Sequence, residues 1–137
     1  MRKDIDIPKV KNIAVAIVEE LNDEKTANIY NVYLINLSDH LIENILVTSK
    51  GYGENKITGE KIKTSVLRHQ FDVLIPNTFV KIEPLIEDVF KLNNEYWVSF
   101  FQDNKMLDKK YIFLPDTIQK ANFITIPIIN KKGVLIK

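Results

Sequence analysis

Residues able to do chemistry are scarce in this chain. There are two histidines and no cysteine. His40 follows Asp39 in a polar stretch that reads as a turn. Asp-His can serve as a metal or acid–base pair, but neighbours on an extended backbone point apart, and a solvated turn is the preferred reading of the pair. His69 follows Arg68 and shares a predicted face with Leu67 and Phe71. It reads either as a buried imidazole bonded to the backbone or as a ligand contact beside Arg68. Neither histidine has a ligand partner at i+2, i+3 or i+4, so no metal site is expected. The acidic pairs Glu19-Glu20, Asp23-Glu24 and Glu87-Asp88 fit solvated turns or strand ends better than acid–base dyads.

Gly51-Tyr52-Gly53 lacks the third glycine and following helix of a dinucleotide fold. The chain also lacks a P-loop and a G-x-S-x-G elbow, and Ser49 and Ser65 have no recognisable base partner. No cofactor and no catalytic residue are therefore expected. What remains is a weak candidate ligand site of Arg68, His69 and Tyr52, chosen because these are the rare residue types and because loops carry function. Tyr96, Trp97, Phe100 and Phe101 could stack on bases or sugars. Rings on both faces of one strand more often fill a core, and the interleaved Arg/Lys of an RNA-binding sheet are absent around 96–101.

The elements that must position these residues read as strands. YNVYLIN and ILVTS around Ser38-Asp39-His40 suggest a hairpin over 30–49. Tyr30, Val32 and Leu34 share one face, opposite Tyr33, Ile35 and Leu37; in the second strand Ile45 and Val47 oppose Ile42 and Leu46. Apolar residues on two faces place both strands centrally in a sheet or against a partner. Residues 50–63, with three of the four glycines, read as a long mobile loop or a protruding hairpin. Further strands are expected at 4–7 beside Pro8, at 66–75 (Leu67, Phe71, Val73 and Ile75 inward), and at 78–86 (Val80 and Ile82 inward, Lys81 and Glu83 outward). Others are expected at 96–101, 110–114, 123–129 (an edge, by Pro127) and 134–136 beyond a break at Gly133. Residues 10–21 fit a strand buried on both faces; short helices at 10–21 or 84–92 are the alternatives. Eight or nine strands with short connections predict an all-β chain, a single antiparallel β-sandwich over 1–137, immunoglobulin-like, with a jelly roll as alternative.

At 137 residues such a domain buries about 68% of the surface of its unfolded chain and needs no staples. No run approaches the roughly 20 apolar residues of a membrane span, and the N-terminus carries no signal-peptide pattern, so the expected location is cytoplasmic. The net charge of +1 is uneven: residues 1–103 hold 12 Lys/Arg against 16 Asp/Glu, hence −4, and residues 104–137 hold 7 Lys against 2 Asp, hence +5. The basic third reads as lysines guarding strand edges and a solvated tail, or as a polyanion-binding edge.

The segments YNVYLIN, VTSKGYG, LRHQFDVL, LNNEYWVSFFQDNKMLDKKYIF and KKGVLIK resemble a family of small uncharacterised bacterial proteins. Some members carry the label phenylalanine–tRNA ligase α subunit. A class II synthetase catalytic domain is far larger and clamps ATP with an arginine-bearing motif. The only arginines here, Arg2 and Arg68, lie in no such motif, so the resemblance implies no catalytic residue. The strand spacing is also similar to that of immunoglobulin-like and fibronectin-type sandwiches. The functional expectation is a non-catalytic interaction or structural domain that binds a protein partner or self-associates through an edge strand. A small-ligand or weak enzymatic site near Arg68 and His69, or nucleic-acid binding through the lysine-rich C-terminal third, are the alternatives.

Overall fold

A computed structural model describes residues 9–137; the expected strand at 4–7 lies outside the described residues. The described residues form ten strands: β1 (Ile13–Leu21), β2 (Asn28–Asn36), β3 (Ile42–Glu54), β4 (Lys61–Lys63), β5 (Leu67–Leu74), β6 (Thr78–Leu85), β7 (Asn93–Gln102), β8 (Lys105–Phe113), β9 (Ile124–Thr125) and β10 (Lys132–Ile136). The first sheet has the order β6-β2-β1-β10-β9. The second has the order β4-β3-β7-β8, with β5 also paired to β3. All pairings are antiparallel. Packed face to face, the two sheets make an all-β sandwich.

β1 shows why residues 10–21 are not helical. Ile13, Val15 and Ile17 enter the core between the sheets, while Ala14, Ala16 and Val18 enter a second cluster on the outer side of the first sheet. All six are 0–1% exposed. A strand buried on both faces favours such β-branched residues, which are stiff in a helix. The helix expected as an alternative at 84–92 is reduced to one 3-10 turn, Glu87–Val89, after β6 ends at Leu85.

The two strands of 30–49 do not form a hairpin. β2 pairs with β1 and β6, whereas β3 pairs with β5 and β7, so the connection crosses from one sheet to the other. Buried Asn36 fixes this arch: its amide donates to the carbonyls of His40 (2.9 Å) and Leu74 (3.0 Å), and its oxygen accepts from the Ser38 backbone and hydroxyl. These bonds satisfy buried polar groups that a hairpin ladder would otherwise have to pair. Each strand is nonetheless central in its own sheet, with Tyr30, Val32 and Leu34 inward and Tyr33 and Ile35 outward.

Other connections follow local chemistry. β7 and β8 join through Asp103-Asn104, both at positive φ (53° and 64°), which is the twist a two-residue hairpin turn requires. Residues 50–63 form a protruding hairpin, β3 continuing to Glu54 and returning as β4.

The 123–129 strand shrinks to Ile124–Thr125 because the chain then turns sharply, with Ile126 N donating to Lys131 O and Asn130 N to Ile126 O. Pro127 cannot extend a ladder there. The turn lays Ile126, Ile128 and Ile129 against the outer cluster of the first sheet. Gly133 does not break the chain but lies within β10, where a β-carbon would overlap the Ile17 carbonyl oxygen. Only glycine permits that approach.

Candidate functional site

The three candidate ligand residues are not gathered into one site. Arg68 and His69, being consecutive on β5, face opposite ways: Arg68 is exposed, while His69 turns in between the sheets. Tyr52 lies on the glycine hairpin, its hydroxyl donating to Glu95 at 3.3 Å. Burial and the adjacent Glu95 carboxylate raise the Tyr52 pKa above its ordinary value. His40 contacts Asp103 across the sandwich end at 3.3 Å, with both side chains exposed.

His69 belongs to a cluster that sequence reasoning missed. Its Nε2 lies 2.8 Å from Glu83 Oε1; Ser49 donates to the same oxygen at 2.8 Å, and Tyr96 donates to Glu83 Oε2 at 3.2 Å. Glu83 was expected to face outward. It faces inward because β6 carries a bulge: Val32 pairs with Glu83 but Tyr33 with Lys81, leaving Ile82 extra. One extra residue reverses the alternation and re-aims the next side chain.

The cluster ties β6 of one sheet to β5, β3 and β7 of the other. Burial, then the Glu83 charge and hydrogen bond, push the Tyr96 hydroxyl well above its usual pKa and keep it a donor. Ser49 gives its hydrogen bond to Glu83 and none to His69, so the geometry is not that of an activated nucleophile. A cavity of about 220 Å³ adjoins the cluster. On the other flank the buried Tyr111 hydroxyl donates to the Ile13 carbonyl, a second tie between the sheets.

The outer face of the second sheet offers a different chemistry. Tyr96 and Phe100 are core residues, but Trp97 (45% exposed), Phe101 and Met106 stand on the surface. Strand register lines up Arg68, Thr48, Trp97 and Lys110 in one row across β5, β3, β7 and β8. Cross-strand partners share a face. The Lys110 ammonium rests 4.8 Å from the Trp97 ring centroid. The cations expected to flank an aromatic platform are therefore supplied by neighbouring strands, which no inspection of 96–101 alone can reveal. Toward the glycine hairpin the same face runs into a concavity of about 630 Å³, whose walls include Lys50, Tyr52, Lys61, Lys63 and Glu95.

The lysines of the C-terminal third do not form one edge. Lys131 and Lys120 reach Glu20 and Glu19 on β1 (2.6 and 3.9 Å), Lys109 donates to the Lys137 carbonyl, Lys132 to Thr125, and Lys110 caps Trp97. No group of three or more His, Cys, Asp or Glu among the described residues could hold a metal, and no helix among them is long and apolar enough to cross a membrane. No family model, curated protein or solved structure matches the chain.

Proposed function

We propose that this chain is a non-catalytic binding module of immunoglobulin-like build, and that the outer face of its second sheet is the binding surface. The strand order supports the architecture: β1-β2-β6 oppose β8-β7-β3-β5, with the hairpins β1–β2 and β7–β8 and the run β3–β4–β5 kept within a sheet and crossings between them. The edge pair β9-β10 is an addition beside β1.

One observation carries the functional reading. Among the described residues, Ile126–Lys131 fold over the outer face of the first sheet, whereas Trp97, Phe101 and Met106 on the second are left exposed, with Lys110 over the indole. An aromatic and apolar group left uncovered on a sheet face is suited to a partner. The Ser49–His69–Glu83–Tyr96 cluster acts as a structural tie in this reading.

The test uses the chain's sole tryptophan. Labelled with 5-fluorotryptophan, the protein gives one fluorine resonance from position 97. The expected result is a shift when that sample is titrated with one of three fractions of a cell extract: protein, nucleic acid or polysaccharide. A resonance unmoved by all three would sink the proposal.

A further inference from the structure

Resting on that reading of the face, we infer that its ligand is a single-stranded nucleic acid, with a base stacked on Trp97 and phosphates held by the flanking cations. Single-strand binders combine a positively charged groove that follows the backbone with rings on which bases stack. Both parts are present. The Trp97 row ends in Arg68 on one side and Lys110 on the other. At strand spacings of 4.7–4.9 Å, Arg68 lies about 10 Å from Trp97 and Lys110 one strand away. Thr48 pairs with Trp97, and Tyr52 lies four residues farther along β3, about 13 Å. The second ring is thus within reach of the same strand.

Around Tyr52 the concavity adds Lys50, Lys61 and Lys63 against Glu54 and Glu95, and Lys50 already approaches Glu95 at 3.7 Å. With Arg68 and Lys110 of the Trp97 row, five cations stand against two carboxylates on the half of the face nearest the hairpin, a balance of +3. Acidic side chains lie toward the other end, where Asp108 pairs with Ser99 and Asp72 falls on β5. A polyanion has a preferred stretch of this face and a direction along it. Lys110 is held over the exposed indole by an attraction weak enough to be exchanged for a phosphate contact while the ring takes a base.

The experiment titrates the full chain at low salt with single-stranded DNA and RNA oligonucleotides, reading Trp97 fluorescence and the anisotropy of a labelled oligonucleotide. Expected are saturable quenching and an affinity that falls steeply with added salt. Trp97→Ala should weaken binding roughly tenfold or more. Arg68→Ala and Lys110→Ala should each lower affinity and each reduce the log–log salt slope by about 0.7. Lys120→Ala, at a lysine engaged with Glu19 on β1, should change nothing.

Absence of quenching and of an anisotropy rise at low salt overturns the inference. Equal binding of heparin, with no cost from Trp97→Ala, overturns it too, since that is charge attraction without stacking. A fluorine shift at Trp97 with the protein or polysaccharide fraction but not with oligonucleotides overturns the nucleic-acid assignment and leaves the binding face standing. Silence in every arm overturns both.

Discussion

The two outer faces of this sandwich are treated differently at their centres, although Phe79 on the edge strand of the first is 41% exposed as well. On the first sheet, Ala14, Ala16 and Val18 of β1 would be bare, and the turn between β9 and β10 is laid over them, with Ile126 fully buried. The turn accepts a left-handed Ile128 (φ 69°), an unfavourable conformation for a β-branched residue. It is pinned by Lys131 to Glu20, which also accepts hydrogen bonds from Tyr33 and Asn31. On the second sheet no such cover exists among the described residues, although Trp97 is larger than anything the first face hides. One face is thus built for folding, and the bareness of the other is unexplained by folding.

Substitutions should break this contrast in a definite order. Gly133→Val drives a side chain into the Ile17 carbonyl and parts β10 from β1; it should cost more than about 3 kcal/mol in urea unfolding. Ile126→Ala opens the covered face, and a loss of about 2–4 kcal/mol is expected in the same assay. Glu83→Ala, which strips Tyr96, Ser49 and His69 of their shared partner, should cost about 2 kcal/mol without changing oligonucleotide affinity. An affinity change there would move the functional site to the flank between the sheets.

Acidity should loosen the covered side. Burial disfavours the Glu20 charge, but hydrogen bonds from Lys131, Tyr33 and Asn31 outweigh it and hold its pKa below the ordinary 4.5. Its contribution is therefore present above that pH and is lost as pH falls through the lower folded value. Urea midpoints at neutral pH and in acid should converge between the wild type and Glu20→Gln as the acid limit is approached. At the alkaline end, burial and then the Glu19 carboxylate push the Tyr30 hydroxyl up to about 12 from 10.0. The stability linked to it is whole below pH 10 and lost as pH rises toward 12, which Tyr30→Phe should abolish.

The alternation of apolar residues made the strands legible, and the two-faced strands β1 and β2 announced their central positions. β3 is central too, but not two-faced: Ile42, expected opposite Ile45 and Val47, enters the same core as they do. The irregularities were harder. Inward residues are three apart at Ile42 and Ile45, at Phe71 and Leu74, and at Ile82 and Leu85. Such a gap breaks a period of two. At Ile82 it marks the bulge that turned Glu83 inward, and near Asn44 (φ 49°) the register of β3 on β7 shifts as well.

Reading β5 as strictly alternating put Val73 and Ile75 inside, whereas both are exposed and Leu74 is buried. The 30–49 hairpin failed for another reason. Asn36 decides between a hairpin and a sheet-crossing arch through bonds to Leu74, far along the chain. The binding face was hidden for the same reason, since Arg68, Trp97 and Lys110 meet only through register.

The most direct measurement is the urea unfolding free energy of Trp97→Ala beside that of Ile126→Ala. If the second sheet's outer face is kept bare for a ligand, removing its largest ring should cost no more than about 1 kcal/mol, the scale of the exposed Lys110–indole contact that is lost. A loss of about 3 kcal/mol, matching Ile126→Ala, would contradict the account and make Trp97 part of the fold's own structure.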